Sequence, residues 1–173
     1  MSEENKNHYV NNKDLYERTK QWKKEFDEYQ IHNPGKLLKM PDSIAKDVIA
    51  IANGLIKRYN FSGYSENWKQ DMVADGIEDC IKGLHNFDPE KSTNVYGYIN
   101  KTCWWAFVRR IKTEKRENAS KYRFYLDNAP EETYGEVDED FMQDMANRVE
   151  EFEESIKPKE REYKGPNLLD FME

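Results

Sequence analysis

Three groups of side chains in this sequence have types and spacings suited to chemistry. The first is a row of carboxylates, Asp71, Asp75 and Asp79, at i, i+4 and i+8, with Glu78 and Lys82 beside it. On a helix that spacing lines one face. Like charges so placed repel by roughly 0.2–0.5 kcal/mol per pair. The row therefore has three readings: a solvated face, a docking surface for a basic protein partner, or paired carboxylates holding Mg²⁺ for phosphodiester cleavage. The second group runs from Tyr96 to Lys112 and interleaves aromatic with basic residues: Tyr96, Tyr98, Lys101, Trp104, Trp105, Arg109 and Lys112. Rings that stack on bases and cations that meet phosphates are how proteins hold unpaired nucleic-acid strands. The third group is the terminal Leu168, Leu169 and Phe171, which follow a Lys/Glu/Pro-rich stretch from Lys157 to Pro166. A short apolar peptide on a tether either docks in a partner's pocket or folds back on its own domain.

Other chemistries lack their residues. No Gly-rich phosphate loop and no nucleophile elbow is present. His8, His32 and His85 are scattered, which gives neither a triad nor a zinc cluster. Cys80 and Cys103 each fall in an apolar helical pattern, which fits buried thiols better than a disulfide. The expectation is a binding protein with no catalytic residue, metal or cofactor. A Mg²⁺-dependent nuclease on Asp71, Asp75 and Asp79 is the rival from another class.

The elements that must position these groups read as helices. Asn12 or Asp14 can cap a first helix reaching about Tyr29, with Leu15, Trp22, Phe26 and Tyr29 near one face. His32-Asn-Pro-Gly35 is a turn, and Asp42 or Ser43 starts a second helix carrying Ile44, Val48, Ile51, Leu55 and Tyr59 at spacings of three or four. A third helix spans about Glu66 to Leu84, with Met72, Val73, Gly76, Ile77, Cys80, Ile81 and Leu84 as its apolar stripe. Asn86-Phe-Asp-Pro89 breaks it, and Ser92 or Thr93 can cap a fourth. On a helical wheel Val95, Ile99, Cys103, Ala106, Phe107 and Ile111 share an inward arc. Tyr98, Lys101, Trp105, Arg109, Lys112 and Arg116 lie opposite it. Trp104 falls at the margin, and Arg110 falls inside the apolar arc. The helical signal weakens from about Ala119, and a short acidic helix is expected between Asp138 and Ile156. Nothing alternates with period two, so no sheet is expected.

Composition bounds the rest. The 173 residues are 37% hydrophobic and 35% charged, with a net charge of −7, and mean hydropathy is −1.08. That balance supports a modest core with extensive polar flanks. The charge is uneven. From Lys91 to Arg123 nine basic residues face two acidic ones, and from Pro130 to Glu162 thirteen acidic residues face four basic ones. Two surfaces with different partners are implied. No apolar run suffices to span a bilayer, and Met1-Ser-Glu-Glu-Asn-Lys lacks a signal core, so a cytoplasmic protein without a membrane partner is expected.

At these residues the chain resembles bacterial sigma factors in their second conserved region. Val48 to Tyr59 resembles that region's first helix. Asp71-Met-Val-Ala-Asp-Gly-Ile77, Ile81-Lys-Gly-Leu84 and Phe87-Asp88 resemble the segment that docks on the coiled coil of the RNA polymerase largest subunit. Tyr96 to Ile111 resembles the strand-opening and promoter-reading segments. The likeness is closer still to the small late-transcription sigma factors of T-even bacteriophages. It is carried by Arg58-Tyr-Asn-Phe-Ser-Gly-Tyr64, Trp68-Lys-Gln70, Ile81-Lys-Gly-Leu-His-Asn-Phe-Asp88, Ala106-Phe-Val-Arg-Arg-Ile-Lys112 and Leu169-Asp-Phe171. The resemblance implies an all-α fold: a compact helical domain over 41–118 with an N-terminal helical extension over 1–40. It also implies a largely flexible acidic tail, made of a partly helical segment and linker over 119–164 and a clamp-binding peptide over 165–173. It places Asp71, Asp75, Glu78, Asp79 and Lys82 against host core polymerase. Tyr96, Tyr98, Lys101, Trp104, Trp105, Arg109, Lys112 and Arg116 would meet the non-template strand of an A·T-rich −10-like promoter element. Leu168, Leu169 and Phe171 would meet the phage sliding clamp. The setting implied is the cytoplasm of an infected bacterium. Counting without gaps from Phe87 puts Tyr98 on the family's aromatic and Lys101-Thr102 on its Trp pair, so Trp104-Trp105 falls outside that register. After Arg116 no second helix-turn-helix follows, so the resemblance implies a factor reading one promoter element with the help of a late co-activator.

Overall fold

The computed structural model describes residues 10–128 and 139–157, and all regular structure among them is helical. Five α-helices follow one another: α1 (Asn12–His32), α2 (Asp42–Ile56), α3 (Glu66–Gly83), α4 (Val95–Asn128) and α5 (Glu139–Ile156). Single 3-10 turns sit at Tyr59–Phe61 and Leu84–Asn86. The all-α expectation is met. The chain divides into two compact units, Met1–Thr113 and Glu114–Glu173, and the division falls within α4.

In the first unit α1, α3 and α4 start where a side chain accepts an orphan amide. By contrast, α2 starts after Pro41 with no side-chain cap from Asp42 or Ser43. The cap of α1 is Asn11 rather than Asn12 or Asp14. The Asn11 side chain accepts from Lys13 N, and Ser65 accepts from Trp68 N. At α4 the capping residue is Asn94, whose Oδ1 accepts from Gly97 N at 2.8 Å. Ser92 instead accepts from Asn94 N and shapes the approach. This moves the cap one or two residues from the Ser92 or Thr93 expected. The first helix ends at Asn33-Pro34-Gly35, where Gly35 takes φ +79°, a conformation cheap only without a Cβ.

Apolar stripes then build one core. Leu15, Trp22 and Phe26 of α1 join Ile44, Val48, Ile51 and Leu55 of α2, Met72 and Cys80 of α3, and Val95, Ile99, Cys103, Ala106 and Phe107 of α4. The inward arc of the fourth helix is thus observed as expected. Asp47 of α2 is buried in this unit. It is tolerated because Arg18 of α1 donates to it at 2.5 Å, satisfying a carboxylate that would otherwise be desolvated alone.

The fourth helix outruns the sequence reading, continuing past Ala119 to Asn128. Between Gly97 and Pro130 the chain has neither glycine nor proline, so nothing breaks it despite middling propensities. In the second unit Ala119 of α4 and Met145 of α5 are buried, and Arg123 pairs with Glu153. The segment expected between Asp138 and Ile156 is the helix α5.

Candidate interaction surfaces of the third and fourth helices

Helices α3 and α4 pack antiparallel, and their contacts run in order along both. Gly83 meets Tyr98, Cys80 meets Ile99 and Cys103, Gly76 meets Cys103 and Phe107, and Asp75 meets Arg110. Gly76 is what lets the axes approach. A Cβ built there would stand 2.8 Å from Phe107 Cε1 and 3.3 Å from both Cβ and Sγ of Cys103. Below that glycine the Cys80 and Cys103 sulfurs lie 3.6 Å apart as free, buried thiols. Their mutual hydrogen bond, then burial, pushes the Cys80 thiol above its ordinary range. The expectation of buried thiols rather than a disulfide is met.

The carboxylate row divides into two kinds of residue. Asp71, Glu78 and Lys82 are exposed, and Glu78 pairs with Lys82 within the helix. That hydrogen bond lowers the Glu78 carboxyl and raises the Lys82 ammonium. Asp75 and Asp79 are half-buried and engaged by α4. Arg110 holds Asp75 through two bonds, and Arg109 donates to Asp79 at 2.6 Å. The bond to Asp79 raises the Arg109 guanidinium. This resolves the odd position of Arg110 on the wheel, since a cation inside an apolar arc needs a counterion across the helix pair. Among the described residues no group of three or more His, Cys, Asp or Glu side chains is arranged to hold a metal ion. The cage a Mg²⁺ nuclease would need is therefore not formed by Asp71, Asp75 and Asp79 there.

The aromatic and cationic face of α4 divides too. Trp105 is 57% exposed, and Lys101 and Lys112 are exposed beside it. Trp104 turns sideways, with its ring edge-on to Phe61 at 5.2 Å. Tyr96 is exposed at the first turn of the helix, and its backbone N–H donates to Asn12 Oδ1. Arg116, in the second unit, is exposed on α4. Tyr98 departs from the expected outward face. Its ring packs edge-on to Phe87 at 5.4 Å and its hydroxyl donates to the Gly83 carbonyl at 3.1 Å. Burial pushes its phenol up. The wheel misplaced Tyr98 because the end of α3 and the Phe87 turn cover that side of the first turn of α4. A wheel drawn for one helix holds no such neighbour.

Leu168, Leu169 and Phe171 lie outside the described residues. No helix among the described residues is long and apolar enough to cross a membrane. No protein-family model matches the chain, and no curated protein matches it.

Proposed function

We propose that the chain is a specificity subunit of RNA polymerase, a sigma factor of the kind that T-even bacteriophages use for late transcription in an infected bacterial cytoplasm. The observation that carries the reading is the pairing of α3 with α4. It puts an acidic edge (Asp71, Glu78) and an exposed cationic-aromatic strip (Lys101, Trp105, Lys112) on one small unit, in the sequence order in which the sigma resemblance has them. Asp75 and Asp79 support the acidic edge from within, through their bonds to Arg110 and Arg109.

The mechanism is differential binding, not chemistry on a bond. Opening a few A·T steps costs several kcal/mol, and each base stacked on an aromatic ring contributes roughly 1–3 kcal/mol. Two or three such contacts on the non-template strand shift the equilibrium toward open DNA. Trp105 is the leading stacking residue, and Tyr96 and Trp104 are further ring-bearing candidates on the same helix. Lys101, Lys112 and Arg116 supply phosphate contacts. Asp71, Glu78 and Lys82 face the coiled coil of the polymerase's largest subunit. Leu168, Leu169 and Phe171 take the sliding clamp, and a phage co-activator supplies the missing upstream contacts.

A reconstituted transcription assay tests this: core polymerase, this chain and a minimal A·T-rich late promoter. Start-site-specific transcripts that require the chain support the proposal. Suppression of transcription would make it an inhibitor that occupies the polymerase. Mg²⁺-dependent nicking by the chain alone would make it a nuclease.

A further inference from the structure

We infer that the turn between α2 and α3 is a second nucleic-acid contact, in which Arg58 and Tyr59 receive a phosphate and a base of the same unpaired strand that crosses Trp105. The inference rests on the reading of α4 as a holder of single-stranded DNA and adds a site to it.

Tyr59 is 90% exposed, an unusual state for so large a ring. Two residues on, Phe61 is buried, with its ring edge-on to Trp104 at 5.2 Å and to Phe107 at 5.3 Å. Phe61 therefore pins the turn against α4 at the flank next to Trp105. Phe61 N donates to Arg58 O, and both the amide and the hydroxyl of Ser62 donate to Tyr59 O. A ring held outward on so fixed a backbone loses little conformational entropy when a base stacks on it.

Charge sets the direction of the strand. On the opposite flank of α4 the charges are paired, Asp79 with Arg109 and Glu78 with Lys82, so that flank offers a phosphate backbone little net attraction. On the Tyr59 flank Lys57 and Arg58 have no carboxylate partner among the described residues. A strand leaving Trp105 toward this turn meets cations without carboxylate partners among the described residues, and one leaving the other way meets neutralised ion pairs. A protein partner fits less well. Lys57, Arg58, Asn60 and Ser62 give the ring a polar surround, where a protein contact of that size calls for an apolar one.

The test uses the full chain with core polymerase and a short fluorescein-labelled A·T-rich single strand, read by anisotropy. R58A/Y59A should weaken strand binding by about 5- to 100-fold, the loss of one stacked base and one phosphate contact. Tyr59→Phe should stay within about twofold of the parent, because stacking needs the ring and not the hydroxyl. Polymerase retention in a pull-down should be unchanged for both variants. Unchanged strand binding by R58A/Y59A overturns the inference, and so does a Tyr59→Phe loss as large as that of R58A/Y59A. Lost polymerase retention overturns it in favour of a protein contact. If the parent complex binds no single strand, the proposed function itself fails and the turn with it. Because the parent and the variants are read separately, the two failures are distinct.

Discussion

Arg110 of α4 grips Asp75 of α3 with two parallel hydrogen bonds, Nε to Oδ2 at 2.8 Å and Nη2 to Oδ1 at 3.0 Å. Both side chains are little exposed, 29% and 27%, so the pair is partly screened from water. Removing one partner strands the other's charge at a helix interface. Asp75→Ala should therefore lower unfolding free energy by about 1–3 kcal/mol. Urea denaturation of Asp75→Ala, Arg110→Ala and the double variant gives the coupling directly. Strictly additive losses would show that the pair contributes nothing.

The same geometry decides which carboxylates can probe polymerase binding. Charge reversal at Asp75 or Asp79 would set a lysine against Arg110 or Arg109 and disturb the helix pair. Asp71 and Glu78 are exposed and answer to no arginine of α4. Asp71→Lys with Glu78→Lys should abolish retention by core polymerase while leaving the circular-dichroism spectrum unchanged. Full retention in a pull-down would remove the acidic edge from the interface.

Trp105 and Tyr98 should separate cleanly. Trp105→Ala removes an exposed ring, so stability should stay within about 0.5 kcal/mol while promoter opening falls. Tyr98→Phe deletes only the hydroxyl that reaches Gly83. It should cost about 0.5–1.5 kcal/mol of stability and leave opening intact. Permanganate reactivity near the start site, read beside urea midpoints, checks both. Undiminished reactivity in Trp105→Ala would end the stacking assignment.

Gly76→Ala should destabilise, although alanine is the better helix former by up to about 1 kcal/mol. The new methyl would meet the Phe107 ring at 2.8 Å, and that ring is fully buried with nowhere to move. Overpacking of this kind costs about 1–3 kcal/mol. A raised melting temperature would mean that α3 and α4 can part without penalty.

Alkaline pH should weaken the fold through Cys80. The hydrogen bond to Cys103 and burial hold its thiol protonated in the folded chain. The unfolded thiol ionises near its ordinary value of about 8.5. A raised folded-state pKa gives a contribution complete below that value and progressively lost above it. The same bond lowers the Cys103 thiol, which works in the opposite sense below that value, so urea midpoints should fall only above about pH 9, and less steeply in Cys80→Ala. Equal slopes in the two proteins would contradict this.

Much of this arrangement was legible in the sequence because a single helix displays its own periodicity. Of the expected stripe of α3, Met72, Gly76, Cys80 and Leu84 are buried, Val73 and Ile77 are half-buried and Ile81 is exposed, while the arc Val95, Ile99, Cys103, Ala106 and Phe107 of α4 is buried throughout. What stayed hidden depends on pairs of elements. Asp75 and Asp79 looked like a free row because nothing in α3 announces two arginines from α4. Tyr98 looked exposed because the covering turn belongs to other residues. Arg110 was the visible clue, a cation in an apolar arc, and it pointed to the carboxylate that answers it. The extra length of α4 beyond Ala119 follows from an absence that local propensity does not register, since no glycine or proline falls between Gly97 and Pro130 to stop the helix.

Asn12 joins the two ends of the first unit with one amide. Its Nδ2 donates to the Thr93 carbonyl, and its Oδ1 accepts from the Tyr96 amide, across more than eighty residues of chain. Anyone trimming the protein to the stretch that looks like a sigma factor, beginning at Pro41, would cut this staple away. The shortened polypeptide would open α4 on a dangling amide, with the apolar side that Leu15, Trp22 and Phe26 had roofed laid bare. The smallest piece worth expressing therefore starts upstream of Asn12.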